Sequence, residues 1–401
     1  MTTQSPSFLA SVSLDAFFSS YWEKQPLHIQ RGVSEAQPLI TLEDVEALLS
    51  SQPVYFPGVQ LTQSGRSLDA NDYVDESNCV LPLRLFEQHS QGATIVLSQA
   101  QKLFKPLSDL CEEVMRTLQM RCQTNVYISP PANQGFNAHY DTHDVFILQV
   151  SGAKTFNFYP SSVELPCPDE QFDASALTSS EIDESVDLSA GDTLYIPRGV
   201  VHDAVAHSTS PSIHITLGVY PILMRDLLQE TIQTLSESDS RFRHSIDRYL
   251  HSATDPSQNL LRDAMVSLMH EAISSIDKNH VVQSAHNRLK DELALNATQN
   301  CEGLATRVNS LLNLAEPLTE SSFESIRLRQ NMIISYEHSP SFLKIRTFGQ
   351  VIELQKPIAQ VVGKLLEQGQ VSRQDLQVLH DEQQMALITR LTRENLIELV
   401  S

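Results

Sequence analysis

Between residues 123 and 220 the chain is cut into short β-rich runs, TNVYISP, DVFILQVSG, KTFNFYP, DTLYIPRG, HDAVAHS and SIHITLGVY, separated by glycine, proline and serine. Runs this short and this regularly broken predict a compact antiparallel β-sandwich or barrel. One long insertion interrupts them, the acidic, serine-rich stretch SSVELPCPDEQFDASALTSSEIDESVDLSAGD at 161–192.

The rest of the chain reads differently. The first ~120 residues are mixed. YWEKQPLHIQRG (21–32) leads into an extended stretch after Pro26. Thr41 with Asp44 predicts a capped helix over 41–50. Leu107, Leu110, Val114 and Leu118 fall at helical spacing within 105–121. From 221 to about 310 apolar residues recur at i, i+3, i+4 and i+7, a helical pattern. Beyond that, NMIISYE and FLKIRTFGQVIEL predict strands, while PIAQVVGKLLEQG and QQMALITRLTRENLIELV predict helices, a winged-helix-like composition.

Composition narrows the class. No apolar run approaches the ~18 residues of a membrane span, and the N-terminus shows no basic region followed by an apolar core. Five cysteines without a CxxC pair argue against a disulfide framework or a thiolate zinc site, and favour a reducing cytoplasm. A net charge of −21 disfavours nonspecific nucleic-acid binding and favours a basic protein partner. The C-terminal segment carries no basic stripe, so direct DNA binding is not expected there.

The chemistry concentrates in HYDTHDVFILQVSGAKTFNFYP, residues 139–160. On a strand, side chains alternate between faces, so His139 and Asp141 are expected to point the same way and Tyr140 the other. An imidazole and a carboxylate are two thirds of a 2-His-1-carboxylate site, which leaves open positions on iron. The third ligand is sought in AGDTLYIPRGVVH (190–202), where the spacing G-x5-P-x-G-x2-H ends on His202 and matches the second cupin motif. The plain alternative is a degenerate cupin whose histidines are only hydrogen-bonded. His143, on the face of His139 and Asp141, is a candidate for a supporting role. Asp144, His207 and His214 are set aside, the two histidines as core or surface residues.

Lys154 shares its strand face with Phe156 and Phe158, which predicts an inward-facing ammonium. Such a charge needs an anion unless the lysine snorkels from an edge strand. A metal and a cation on one barrel wall suit 2-oxoglutarate, whose 1-carboxylate and 2-oxo group chelate iron while the 5-carboxylate reaches the cation. O2 would take the remaining position.

YWEKQPLHIQRG, GATIVLSQAQK, NVYISPPANQGFNAHYDTHDVFILQVSGAKTFNFY and GDTLYIPRGVVHDAVA resemble the JmjC-type ribosomal oxygenase family, also called cupin-4 proteins. The likeness runs along essentially the whole chain and is most specific over 123–206. It implies an α+β protein: a JmjC/cupin double-stranded β-helix catalytic domain with an N-terminal α/β flank at 1–220, a helical dimerisation region at 221–310 and a winged-helix-like domain at 311–401. It implies Fe(II), 2-oxoglutarate and O2, and hydroxylation of an arginine or histidine side chain in a basic ribosomal protein by a homodimer. His139, Asp141 and His202 match the family's iron ligands. Lys154 matches the residue that binds the 2-oxoglutarate 5-carboxylate. Arginyl hydroxylases of bacteria tend to have arginine there and eukaryotic histidyl hydroxylases lysine, so both targets stay open. Tyr127 falls near the same carboxylate and Asn125 in the substrate pocket. Other classes compatible with the motifs are a small-molecule or peptide-tailoring 2-oxoglutarate oxygenase and a non-catalytic metal-binding scaffold.

Overall fold

The computed structural model of the chain describes residues 7–10, 12–31, 39–207, 210–245, 256–275, 286–291, 294, 323–329, 334–339, 341–347, 350–394 and 396–400. It divides into two compact units, Met1–Pro221 and Ile222–Ser401.

The first unit is built on eleven strands: β1 (Leu27–Ile29), β2 (Val59–Gln63), β3 (Arg66–Ser67), β4 (Thr94–Leu97), β5 (Arg121–Ser129), β6 (Asp144–Ser151), β7 (Ala153–Tyr159), β8 (Glu184–Ser189), β9 (Thr193–Ile196), β10 (Val201–Ala206) and β11 (Ser212–Tyr220). Eight form one sheet in the order β1-β9-β6-β11-β5-β4-β2-β3, and three form a second, β10-β7-β8. From β6 onward the chain changes sheet between β6 and β7, β8 and β9, β9 and β10, and β10 and β11. That alternation is the double-stranded β-helix that the family resemblance implied.

The corners are made where side chains are not tolerated. Gly152, between β6 and β7, has φ +65°, and a Cβ there would lie 2.3 Å from the Pro211 carbonyl oxygen. Gly191 and Gly199 also take positive φ. Two-residue periodicity then sorts each strand. Val126, Ile128, Ile213 and Ile215 face outward and pack with Val45, Leu48, Leu85 and Leu107 of the flanking helices. The inner faces of β6, β7 and β9 meet at Val145, Ile147, Phe156, Phe158, Leu194 and Ile196, filling one end of the barrel.

The expected helix at 41–50 is Leu42–Ser51, and its capping box is complete. Thr41 Oγ1 accepts the Asp44 N–H at 3.2 Å, and Asp44 Oδ2 accepts the Thr41 N–H at 2.8 Å. The helix Lys105–Leu118 buries Leu107, Leu110, Val114 and Leu118. The acidic insertion ends in a strand that composition concealed: β8 pairs antiparallel with β7 from Ala153↔Ser189 to Phe158↔Glu184.

In the second unit, helices span Met224–Ser238 and Pro256–Ser275. Residues 286–291 are also helical, Ser240–Arg243 form only a short 3-10 turn, and 246–255, 276–285, 292–293 and 295–310 of the expected helical stretch lie outside the described residues. A hairpin of Phe342–Thr347 and Gln350–Gln355 carries Ser335–His338 on its outer edge. Helices Ile358–Gln368, Arg373–Leu376 and Asp381–Arg393 share one core with the strands of this unit. One expectation is corrected: the helix read through Val400 stops at Arg393. Ile397–Val400 is a strand because it finds a partner in Ser325–Leu328, and tertiary pairing overrides the helical spacing.

Candidate active site

His139 and Asp141 are not on a continuous strand, as their spacing suggested. β6 starts at Asp144, and residues 130–143 form a connection that runs beside β10. What orients His139 is a single antiparallel bridge. Its N–H donates to the His202 carbonyl at 3.0 Å, and the His202 N–H donates back at 2.8 Å. Directly opposed residues project to the same side, so the rings meet with centroids 4.9 Å apart. The Gly199 N–H, from the turn before β10, holds the Asp141 carbonyl at 3.0 Å.

The ligand atoms of His139, Asp141 and His202 all lie within 4.8 Å of one another. Nδ1 of His139 is 2.8 Å from the Asn137 carbonyl oxygen, and Nδ1 of His202 is 3.0 Å from that of Val200. A carbonyl can only accept, so each Nδ1 carries the proton and each Nε2 keeps its lone pair for the site. His202 is held below the usual histidine range, first by burial and then by the neighbouring His139. Two imidazoles that turn Nε2 to the site and one carboxylate fit Fe(II).

The pocket around this cluster has a volume of about 330 Å³. In β7, Lys154, Phe156 and Phe158 face inward, as alternation required. The register pairs Phe158 with His202 and Lys154 with Ala206. Lys154 therefore sits four residues along from the metal-ligand end, about 13 Å of strand rise. It is 3% exposed, and its Nζ donates to Ser129 Oγ at 3.1 Å. Thr94 Oγ1 is 3.1 Å from the same oxygen. Burial lowers the Lys154 ammonium to about 7.

Tyr127 and Asn125 lie on the inner face of β5 and both line the pocket. Burial, then the charge of Asp141, pushes the Tyr127 phenol up to about 12. Asn125 Oδ1 accepts from the Gln99 N–H and from Gln123 Nε2, each at 3.1 Å.

His214 belongs here too, against its reading as an ordinary core or surface histidine. It is 5% exposed and stacks on Tyr127 with centroids 4.8 Å apart and planes 4° from parallel. Its Nδ1 has no hydrogen-bond partner among the described residues. Burial first, then Lys154, holds it well below the usual histidine range. The signal was in the alternation of SIHITLGVY. His214, Thr216 and Gly218 oppose Ile213, Ile215, Leu217 and Val219, which are committed to the outer cores. The only remaining side for the polar set is the pocket.

The other residues of the motif go elsewhere or stay peripheral. His143 lines the pocket and stacks on Tyr220, centroids 4.6 Å apart, but is not in the ligand cluster. Asp144 accepts from the Tyr195 hydroxyl at 2.6 Å and from Arg198 at 3.2 Å; Arg198 also reaches Glu23. That network ties the N-terminal flank to the barrel, and burial raises Asp144 to about 6. His207 bonds Thr155 Oγ1 and does not line the pocket.

Residues 97–227 match the family model of the JmjC domain. The chain is 30% identical over 224 residues to the bifunctional lysine-specific demethylase and histidyl-hydroxylase NO66 of Drosophila grimshawi, covering 53% of this chain and 30% of that protein. It is 28% identical over 284 residues to ribosomal oxygenase 1 of Gallus gallus, covering 67% of this chain and 46% of that protein. It thus spans less than half the length of both these relatives. Among solved structures, the Escherichia coli ribosomal oxygenase YcfD superposes with a TM-score of 0.53 at 13% identity, over 97% of this chain and 98% of that one. The same protein in complex with cobalt and 2-oxoglutarate also gives a TM-score of 0.53 at 13% identity, covering 98% of this chain and 99% of that one. At that identity the likeness establishes the fold.

Proposed function

We propose that this chain, with a JmjC domain at 97–227, is an Fe(II)- and 2-oxoglutarate-dependent dioxygenase that hydroxylates an arginine or histidine side chain of a basic ribosomal protein. The observation that carries the reading is an N,N,O ligand cluster of two imidazoles and one carboxylate, with a buried lysine in the same pocket. Among the described residues that line it, Asp141 is the sole carboxylate and belongs to the ligand cluster, while Lys154 bonds the Ser129 hydroxyl.

His139, Asp141 and His202 would hold Fe(II) through two Nε2 atoms and a carboxylate oxygen. Bound there, Fe(II) would couple O2 reduction to decarboxylation of 2-oxoglutarate and oxygenation of a C–H bond. Lys154 and Ser129 bind the distal carboxylate of 2-oxoglutarate, and His214 donates a further hydrogen bond from the pocket floor. Tyr127, stacked on His214, stays protonated at neutral pH and serves as a donor. Asn125 orients the substrate side chain. Phe156 and Ile147 exclude water between the two anchor points.

The substrate class is supported by the similar proteins, a histidyl-hydroxylase and ribosomal oxygenases. A net charge of −21 favours encounter with a basic ribosomal protein. The same reading divides the chain at 1–220, 221–310 and 311–401, makes the middle segment a dimerisation region and the last a winged-helix-like module for protein contact, and places the protein in the cytoplasm. In support of the dimer, Met224, Leu228 and Ile232 form an exposed i, i+4, i+8 apolar stripe on the helix Met224–Ser238. No described helix is long and apolar enough to cross a membrane.

The test is an anaerobic titration of the full chain with Fe(II) and then 2-oxoglutarate, followed by incubation with acid-extracted ribosomal proteins in air. The expected outcome is the visible charge-transfer band of chelated 2-oxoglutarate, absent in His139→Ala, and the mass gain of one oxygen atom on one ribosomal protein. Iron binding without the band would overturn the oxygenase reading. The band without an oxidised ribosomal protein would point to a small-molecule substrate.

A further inference from the structure

A second cavity, of about 630 Å³, lies beside the loops that flank β2 and β4. Its lining includes Val54, Tyr55, Gln60, Ser98, Gln99 and Leu103. The strand register shows where it sits relative to the pocket. Gln60 opposes Val96, Val96 opposes Tyr127, and Tyr127 opposes His214. Directly opposed residues project from the same side of a sheet. Gln60 and Tyr127 therefore stand on one face with Val96 between them, and the alternate residues Leu61, Ile95 and Ile128 go to the outer core. A second link is a hydrogen bond: the Gln99 N–H donates to Asn125 Oδ1 at 3.1 Å, so the loop that floors this cavity is fastened to a residue that lines the pocket.

The cavity thus adjoins Asn125 through Gln99 and lies across the ends of β2 and β4, where Val54, Val59 and Leu103 of the outer core also line it. Its chemistry differs from that of the pocket. Among the described residues no carboxylate lines it and Lys102 is its one charged residue; its other polar side chains are the amides of Gln52, Gln60 and Gln99 and the hydroxyls of Tyr55 and Ser98. Tyr55, 51% exposed, lines it, and the neighbouring Phe56 is also exposed. Side-chain amides satisfy a peptide backbone, and exposed aromatic rings take up apolar side chains.

We propose that this groove seats the polypeptide segment flanking the hydroxylated residue, and that the segment binds extended and carries no net charge. The inference rests on the polypeptide-hydroxylase reading above. A residue placed at Asn125 and Tyr127 belongs to a chain that must leave the pocket mouth, and Gln99, bonded to Asn125, lines this groove. Charge steering then brings the basic substrate to the protein, while neutral contacts set its register.

The experiment uses the full chain with Fe(II), 2-oxoglutarate and acid-extracted ribosomal proteins as substrate, comparing Tyr55→Ala and Gln60→Trp with the parent. The first removes an exposed ring, and the second fills the groove. The expected result is an unchanged 2-oxoglutarate charge-transfer band in both variants. The KM for the ribosomal protein should rise about tenfold, equivalent to ~1.4 kcal/mol of lost binding, with kcat held within about twofold in Tyr55→Ala. Parent-like KM in both variants would overturn the groove's role while leaving the oxygenase reading intact. A parent that forms the band but oxidises no ribosomal protein would overturn the substrate reading and the groove with it.

Discussion

Lys154 is in conflict with its surroundings until an anion arrives. Burial lowers its ammonium to about 7, whereas in the unfolded chain a lysine titrates near 10.4. Between those values the unfolded state binds more protons, so this group makes stability rise with pH and costs most below about 7. Lys154→Met is therefore expected to raise the Tm of the ligand-free protein at pH 6, with the gain shrinking as pH rises through about 7 towards 10; thermal melts across that range check it. The same substitution should weaken 2-oxoglutarate on the order of a hundredfold, since truncating one partner of a buried charge pair costs about 2–5 kcal/mol. His214→Phe keeps the ring stack on Tyr127 but deletes both ring nitrogens. The expected loss is about tenfold in 2-oxoglutarate affinity, the ~1.5 kcal/mol of one hydrogen bond to a charged group. An affinity equal to the parent's by charge-transfer titration would remove His214 from the anion site.

At the scale of elements, the site is assembled at corners. The β6–β7 corner places Lys154 inward two residues after Gly152, and the β9–β10 turn returns His202 opposite His139. Gly152→Ala combines a left-handed φ of +65° with a Cβ 2.3 Å from a backbone oxygen that has no rotamer to escape into. It should lower unfolding free energy by more than about 2 kcal/mol, measured by the denaturant midpoint. It should also weaken 2-oxoglutarate, because the strand that carries Lys154 starts at that corner. These corners were visible as glycines in the amino-acid order, and so was the inward set Lys154, Phe156 and Phe158. The edge strand β8 was not, because its Glu184, Ser185 and Asp187 read as an acidic loop and only pairing with β7 makes them a strand.

At the scale of the molecule, two properties of the proposed function can be tested without touching the pocket. The apolar stripe Met224, Leu228 and Ile232 should be the dimer contact. Leu228→Asp is expected to shift the protein from dimer to monomer by light scattering while leaving the charge-transfer band in place; an unchanged mass would exclude this stripe as the contact. The charge of −21 makes substrate encounter dependent on ionic strength. The KM for a basic ribosomal protein should rise several-fold between ~50 and ~300 mM salt. The affinity for 2-oxoglutarate, held by the buried Lys154, should change little over the same range.

The order of residues was sufficient for the β-rich block, for the H-x-D and G-x5-P-x-G-x2-H spacing, and for the inward lysine. Each of these is a local property: strand alternation has a period of two, a turn needs glycine or proline, and a buried charge stands out among phenylalanines. The tertiary structure decided what depends on partners distant along the chain. His139 is placed by a bridge to His202 and Asp141 by the Gly199 N–H, not by a strand of their own. His214 became a pocket residue because its neighbours in β11 are claimed by cores built mostly from residues more than a hundred positions earlier. The groove beside β2 exists only because β2, β4 and β5 lie side by side, a pairing set by the burial of Leu61, Ile95 and Ile128 beneath the flanking helices.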